Sequence, residues 1–124
     1  MTDPAFAQAY ARGILAAGSD YRWHWRVHVG LWAARCAAKL AGDFVECGVN
    51  RGFLSSAIMS LLKWDSTERT FYLLDTFAGI DERYISPEEK ASGVMERNSR
   101  EIASGFYTLT VCARTSPNGR TSES

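Results

Sequence analysis

Residues 42–52 read GDFVECGVNRG: an apolar pair, an acid, then two glycines separated by three residues. DFVECG is short, apolar and bounded by glycines, the pattern of a strand buried in a parallel sheet. Gly48 can adopt backbone angles that a Cβ would penalise, and Gly52 lets a following helix approach closely. From there the period changes. Phe53 to Lys63 (FLSSAIMSLLK) has helical spacing, with Leu54, Ile58 and Leu61 or Leu62 as its apolar positions. After a polar break at residues 64–69 (WDSTER), TFYLLD forms a second buried strand of β-rich composition ending in Asp75. Strand, helix and strand in this order make a βαβ unit, whose crossover is right-handed as a rule. The fold class that follows is α/β.

Upstream, residues 4–17 (PAFAQAYARGILAA) predict a helix with Asp3 as N-cap and Pro4 at its first position. After Gly18 and Ser19, Asp20 is placed to cap a longer helix from Tyr21 to Leu40, ended by Gly42. On that helix His24, His28, Arg35 and Lys39 share one stripe, and Arg22 and Arg26 lie opposite. Two polar edges on an otherwise apolar helix predict contact on more than one face. His24 and His28 have the spacing of a metal pair but no third ligand nearby, so they read as a solvated or lid-facing stripe. Trp23, Trp25 and Trp32 read as packing residues.

A chain of 124 residues holds one ordinary domain. At 46% hydrophobic residues it can pack a core, which argues against wholesale disorder. Lys plus Arg (14) balances Asp plus Glu (14), so no global field recruits nucleic acid or an anionic membrane. Cys36, Cys47 and Cys112 are widely spaced and form no CxxC pair, which points to reduced thiols. The N-terminus lacks the order of a signal peptide, and no apolar stretch is long enough to span a bilayer. A cytoplasmic protein is the expectation.

In a parallel α/β sheet ligands sit outside the carboxyl ends of the strands, and both notable acids, Glu46 and Asp75, fall there. The new helix aims its unpaired N–H groups and positive end at whatever fills the glycine turn. A carboxylate ending the neighbouring strand is placed to accept hydrogen bonds from two ribose hydroxyls, and Asp75 follows Gly52 at a compatible spacing. A dinucleotide site would show GxGxxG. Here Glu46 takes the place of the first glycine and would repel a pyrophosphate. S-adenosylmethionine carries an ammonium, a sulfonium and a ribose diol without phosphate, so it is favoured over NAD. A nicotinamide- or nucleotide-binding module stays as an alternative. Cys47 sits in the same turn and reads first as a small buried thiol.

DFVECGVNRGFLSSAIM followed by RTFYLLDTFAGID resembles the opening of the macrocin (TylF-type) O-methyltransferase family. That family lies within the class I, S-adenosylmethionine-dependent methyltransferases. YRWHWRVHVGLWAAR resembles the helix preceding the first strand in these proteins, so the likeness covers roughly residues 20–85. It implies a partial Rossmann-like fold with N-terminal helices. It also implies that Glu46, Gly48 and Gly52 line the methionine end of the cofactor, with Cys47 and Asn50 among the cofactor-binding residues. Asp75 would bind ribose, with Thr76 and Phe77 beside the sugar and adenine.

Members of the family act on hydroxylated small molecules and carry further strands and metal-binding aspartates, a divalent metal such as Mg2+ orienting the substrate. None of those ligands is found in this sequence. The expected division is a helical segment 1–41, a partial cofactor-binding domain 42–107 and a tail 108–124. Residues 87–103 (PEEKASGVMERNSREIA) predict a charged surface helix broken near Gly93, with Glu88, Glu89 and Lys90 at its solvated start. The tail VCARTSPNGRTSES lacks periodicity. Read in a shifted frame with permitted codons, it can encode Val-Arg-Ala-Asn-Phe-Ala-Glu-Trp-Pro-Asn-Val-Arg-Ile, apolar at helical and then strand spacing. The expectation is a frameshift near residues 108–111 and an inactive fragment, with no nucleic-acid or membrane partner. The alternative is a non-catalytic fragment that pairs, or self-associates, through an exposed sheet edge.

Overall fold

The computed structural model describes residues 3–103. The tail, the frameshift and the domain boundary at residue 107 lie outside the described residues. Helix α1 spans Pro4–Ala17 as the sequence predicts. The Ala5 N–H donates to Asp3 Oδ1 at 2.9 Å, and Gly18 closes the helix in the left-handed region, its N–H donating to the Ile14 carbonyl.

Helix α2 spans His24–Ala37, shorter at both ends than the sequence predicts. Asp20 does not cap it. The Asp20 carboxylate instead accepts the Tyr10 hydroxyl at 2.7 Å and the Arg22 N–H at 2.8 Å. Arg22 sits at φ 57, outside helical space, so the helix starts beyond it. The bond from Tyr10 holds the Asp20 carboxyl below its ordinary value. Burial and the bond to Asp20 push the Tyr10 phenol up to about 12. Beyond α2, Arg69 Nη2 donates to the carbonyls of Ala38 (2.9 Å) and Leu40 (2.6 Å), satisfying groups that the helix end leaves open.

Strands β1 (Phe44–Cys47) and β2 (Phe71–Leu74) pair in parallel, with Phe44 opposite Phe71 and Cys47 opposite Leu74. Between them run α3 (Phe53–Leu61) and a 3-10 turn at Trp64–Ser66. Each strand alternates, as a two-residue period demands. Phe44, Glu46, Phe71 and Leu73 are half-buried, whereas Val45, Cys47, Tyr72 and Leu74 are exposed. The strands are therefore covered on one face only, not buried on both. Cys47 is an exposed thiol, so its reading as a buried packing residue fails.

The core lies where α1 crosses α3. A Cβ added to Gly13 would stand 2.5 Å from the Phe53 ring and 2.9 Å from its carbonyl oxygen, so only glycine permits this approach. Around Phe53 gather Tyr10, Tyr21 and Trp23, with ring centroids 5.2, 5.5 and 6.2 Å away. Trp23 thus packs as expected, but Trp25 and Trp32 remain 76% and 64% exposed. The polar stripe of α2 is exposed, as its solvated reading expects, but it also makes contacts along α1. His24 stacks on Tyr10 at 4.3 Å, His28 tilts over Phe6 at 5.4 Å, and Arg35 stands 3.6 Å from Asp3. The stripe runs along α1.

After β2 come a 3-10 turn (Glu82–Tyr84) and helices α4 (Pro87–Ala91) and α5 (Val94–Ala103). Ser86 and Glu89 form a reciprocal capping box on α4, and Gly93 (φ 79) makes the predicted break. Among the described residues no helix is long and apolar enough to cross a membrane. Helices around a small parallel sheet make an α/β unit, compatible with a partial form of the expected fold.

Candidate functional site

The carboxyl ends of β1 and β2 lie side by side, so the segment after Cys47 and the segment after Leu74 meet there. Gly48 extends the ladder by donating its N–H to the Leu74 carbonyl at 2.8 Å. It does so at φ 81, with nothing within 4 Å of the position a Cβ would take. The turn is therefore glycine-dependent and open. Gly52, the N-cap of α3, is at φ 75, and a Cβ there would meet only the hydroxyls of Ser55 and Ser56, the nearer at 3.4 Å. Its glycine answers a left-handed backbone rather than the close helix approach expected from the sequence.

Glu46 is on the strand face turned towards α3. Its Oε2 is buried and has no hydrogen-bond partner among the described residues. Burial pushes its carboxyl above the ordinary range, Ser55 in the first turn of α3 pulls it back, and the charge of Asp75 adds to the rise. An unpartnered buried carboxylate oxygen is costly, and a cationic or hydrogen-bond-donating group would relieve that cost.

Asp75 is treated differently. Its Oδ2 accepts the Asn50 N–H at 2.7 Å, and its Oδ1 accepts the Phe77 N–H at 3.2 Å and the Thr76 hydroxyl at 3.3 Å. Burial would raise its carboxyl, but the donors from Asn50, Phe77 and Thr76 outweigh burial and hold it below the ordinary range. Asn50 and Phe77 both have positive φ, 52° each. Asparagine tolerates that region; for phenylalanine it is strained. Asp75 thus braces both segments, tying the β1 turn to the loop after β2. A carboxylate offers about four acceptor positions, which leaves capacity on Oδ2 for a ligand hydroxyl.

The structure therefore brings Glu46, Cys47, Gly48, Asn50, Asp75, Thr76 and Phe77 to one end of the sheet, with Gly52 opening α3 behind them. Asn50, Thr76 and Phe77 are exposed. A hollow between α1 and α2 (Phe6, His28, Trp32) and another beside the α2–β1 connection (Leu40, Phe44, Arg69) lie away from this end. Among the described residues no three His, Cys, Asp or Glu side chains converge as a metal site.

Sequence reasoning missed Asn98. It is 3% exposed in α5, its Oδ1 accepts the Ile80 N–H at 3.0 Å, and its Nδ2 donates to the Ile80 carbonyl at 3.3 Å. Both bonds clamp the loop that carries Thr76 and Phe77. One asparagine in a charged helix gives no signal of this by itself.

A family model described as Macrocin-O-methyltransferase (TylF) matches residues 32–104, more than half of the chain. No curated protein and no solved structure matches it.

Proposed function

The chain belongs to the macrocin O-methyltransferase (TylF) family, and from that membership we propose that its two strand ends hold S-adenosylmethionine for O-methyl transfer to a hydroxylated small molecule. One observation carries this reading. Two carboxylates lie at the carboxyl ends of neighbouring strands beside an open glycine turn, and one of them has a buried oxygen without a partner among the described residues. A ligand rich in positive charge and hydroxyl donors fits that pair, and a pyrophosphate does not. The cofactor supplies an electrophilic methyl carbon on a sulfonium centre.

The chain's own residues divide the work of binding. Glu46 accepts hydrogen bonds from the amino-acid end, where the left-handed turns at Gly48 and Gly52 leave space. Cys47 and Asn50 flank that end. Asp75, already ionised and braced, accepts the ribose hydroxyls, with Thr76 and the exposed Phe77 ring beside sugar and adenine. A partial Rossmann-like arrangement would hold both groups at one end of the sheet, as open α/β sheets do.

Transfer also needs the acceptor oxygen held in line with the methyl carbon, and a base or metal to take its proton. The described residues offer no such group next to Glu46 and Asp75, so we expect binding without turnover from them. Calorimetric titration with S-adenosylmethionine, S-adenosylhomocysteine and NAD tests the reading. Binding of the first two and not of NAD is the expected result; NAD binding alone, or no binding, sinks it.

A further inference from the structure

Helix α2 is apolar on two opposite faces. Val27, Leu31 and Ala34 are buried in the core, while Trp25, Val29, Trp32 and Cys36 form an exposed stripe away from it, Trp32 at the rim of the α1–α2 hollow. Their spacing of four, three and four residues is that of a helix–helix seam. An apolar helix face is normally covered, and nothing among the described residues covers this stripe.

We propose that this stripe is the seam of a homodimer, in which two copies of α2 pack antiparallel. The order of side chains supports a second copy as the occupant. Run against itself, the stripe sets Trp25 opposite Cys36 and Trp32 opposite Val29, so every layer matches a large side chain with a smaller one. The residues beside the seam permit this approach. Arg35 is drawn towards Asp3 on α1, and the Arg26 guanidinium sits 4.7 Å over the Trp23 ring.

The two tryptophans supply a large part of the area that a dimer needs. At about 250 Å2 for a whole indole, Trp25 and Trp32 offer about 350 Å2 of exposed surface per copy. A standard interface takes roughly 800 Å2 per partner, so two side chains supply nearly half before Val29, Cys36 and their flanks are added. The bare sheet face is a weaker candidate, because Val45, Cys47, Tyr72 and Leu74 span only two short strands.

Light scattering and sedimentation across a concentration series test the proposal. A dimer is expected, and Trp25→Glu or Trp32→Glu should weaken it at least tenfold with the circular dichroism spectrum unchanged. Leu15→Glu, at an exposed α1 position, should leave the dimer intact, and Trp32→Phe should retain most of it. Indole fluorescence of the wild type should become less accessible to acrylamide as the dimer forms. A monomer at all concentrations up to about 100 μM, where a specific interface should be populated, overturns the proposal. A dimer indifferent to both tryptophan changes but lost on Tyr72→Lys overturns it too, since the contact then lies on the sheet.

Discussion

Glu46 and Asp75 lie at the carboxyl ends of neighbouring strands, yet the protein moves their proton affinities in opposite directions. Glu46 is raised, so its protonated form favours folding. That contribution is complete below the unfolded value near 4.3 and is lost as pH rises through the folded value. Asp75 is lowered, so its contribution is present above about 3.9 and is lost as pH falls through the folded value. Glu46→Gln should therefore raise thermal stability at pH 7, by less than about 1 kcal/mol because solvent screens a partly exposed group, and change little at pH 4. The same substitution should weaken cofactor binding about tenfold or more. Thermal melts at the two pH values, set beside titrations, check both halves. Asp75→Asn should cost about 1 kcal/mol at pH 7, with the gap closing in acid. The positions of these acids are legible in the sequence because a strand's end and a glycine turn are local patterns. Their opposite environments are not, because Asn50, 25 residues before Asp75, reaches it only once the chain has folded.

At the scale of elements, α1, both strands and the break at Gly93 follow from caps, glycines and period, all readable within a few residues. The start of α2 does not. Asp20 looks like a cap until Tyr10, ten residues earlier, donates to it. Asn98 is hidden for the same reason, since its partner lies 18 residues away. Asn98→Ala should leave the Ile80 backbone groups unpaired and cost about 1–3 kcal/mol. The loss should be read as faster amide exchange at Ile80 and Phe77, with exchange in α1 much less affected. Exchange rising equally throughout the protein would show that the clamp is not local. Gly13→Ala forces a methyl group into the Phe53 ring and carbonyl. It should destabilise the fold by about 1–3 kcal/mol or more, seen as a lower midpoint in urea. An unchanged midpoint would mean that α1 and α3 can separate freely.

The whole molecule keeps its aromatic core between α1, α2 and α3 and leaves two apolar surfaces uncovered among the described residues: the outer stripe of α2 and one face of the sheet. Composition announced enough apolar residues for a core but could not say which would stay outside. That depends on how many layers the elements stack. The sheet face should bind a hydrophobic dye, and replacing Val45 and Tyr72 with lysine should remove most of that signal without altering the helical content. The central claim, that the two strand ends together form one S-adenosylmethionine site, is tested most directly by amide chemical shifts during titration with S-adenosylhomocysteine. The account predicts that Gly48 and Asn50 after β1 and Thr76 and Phe77 after β2 shift together along one binding curve, and that Asp75→Ala abolishes both sets. Shifts confined elsewhere, or the same shifts evoked by NAD, would contradict it.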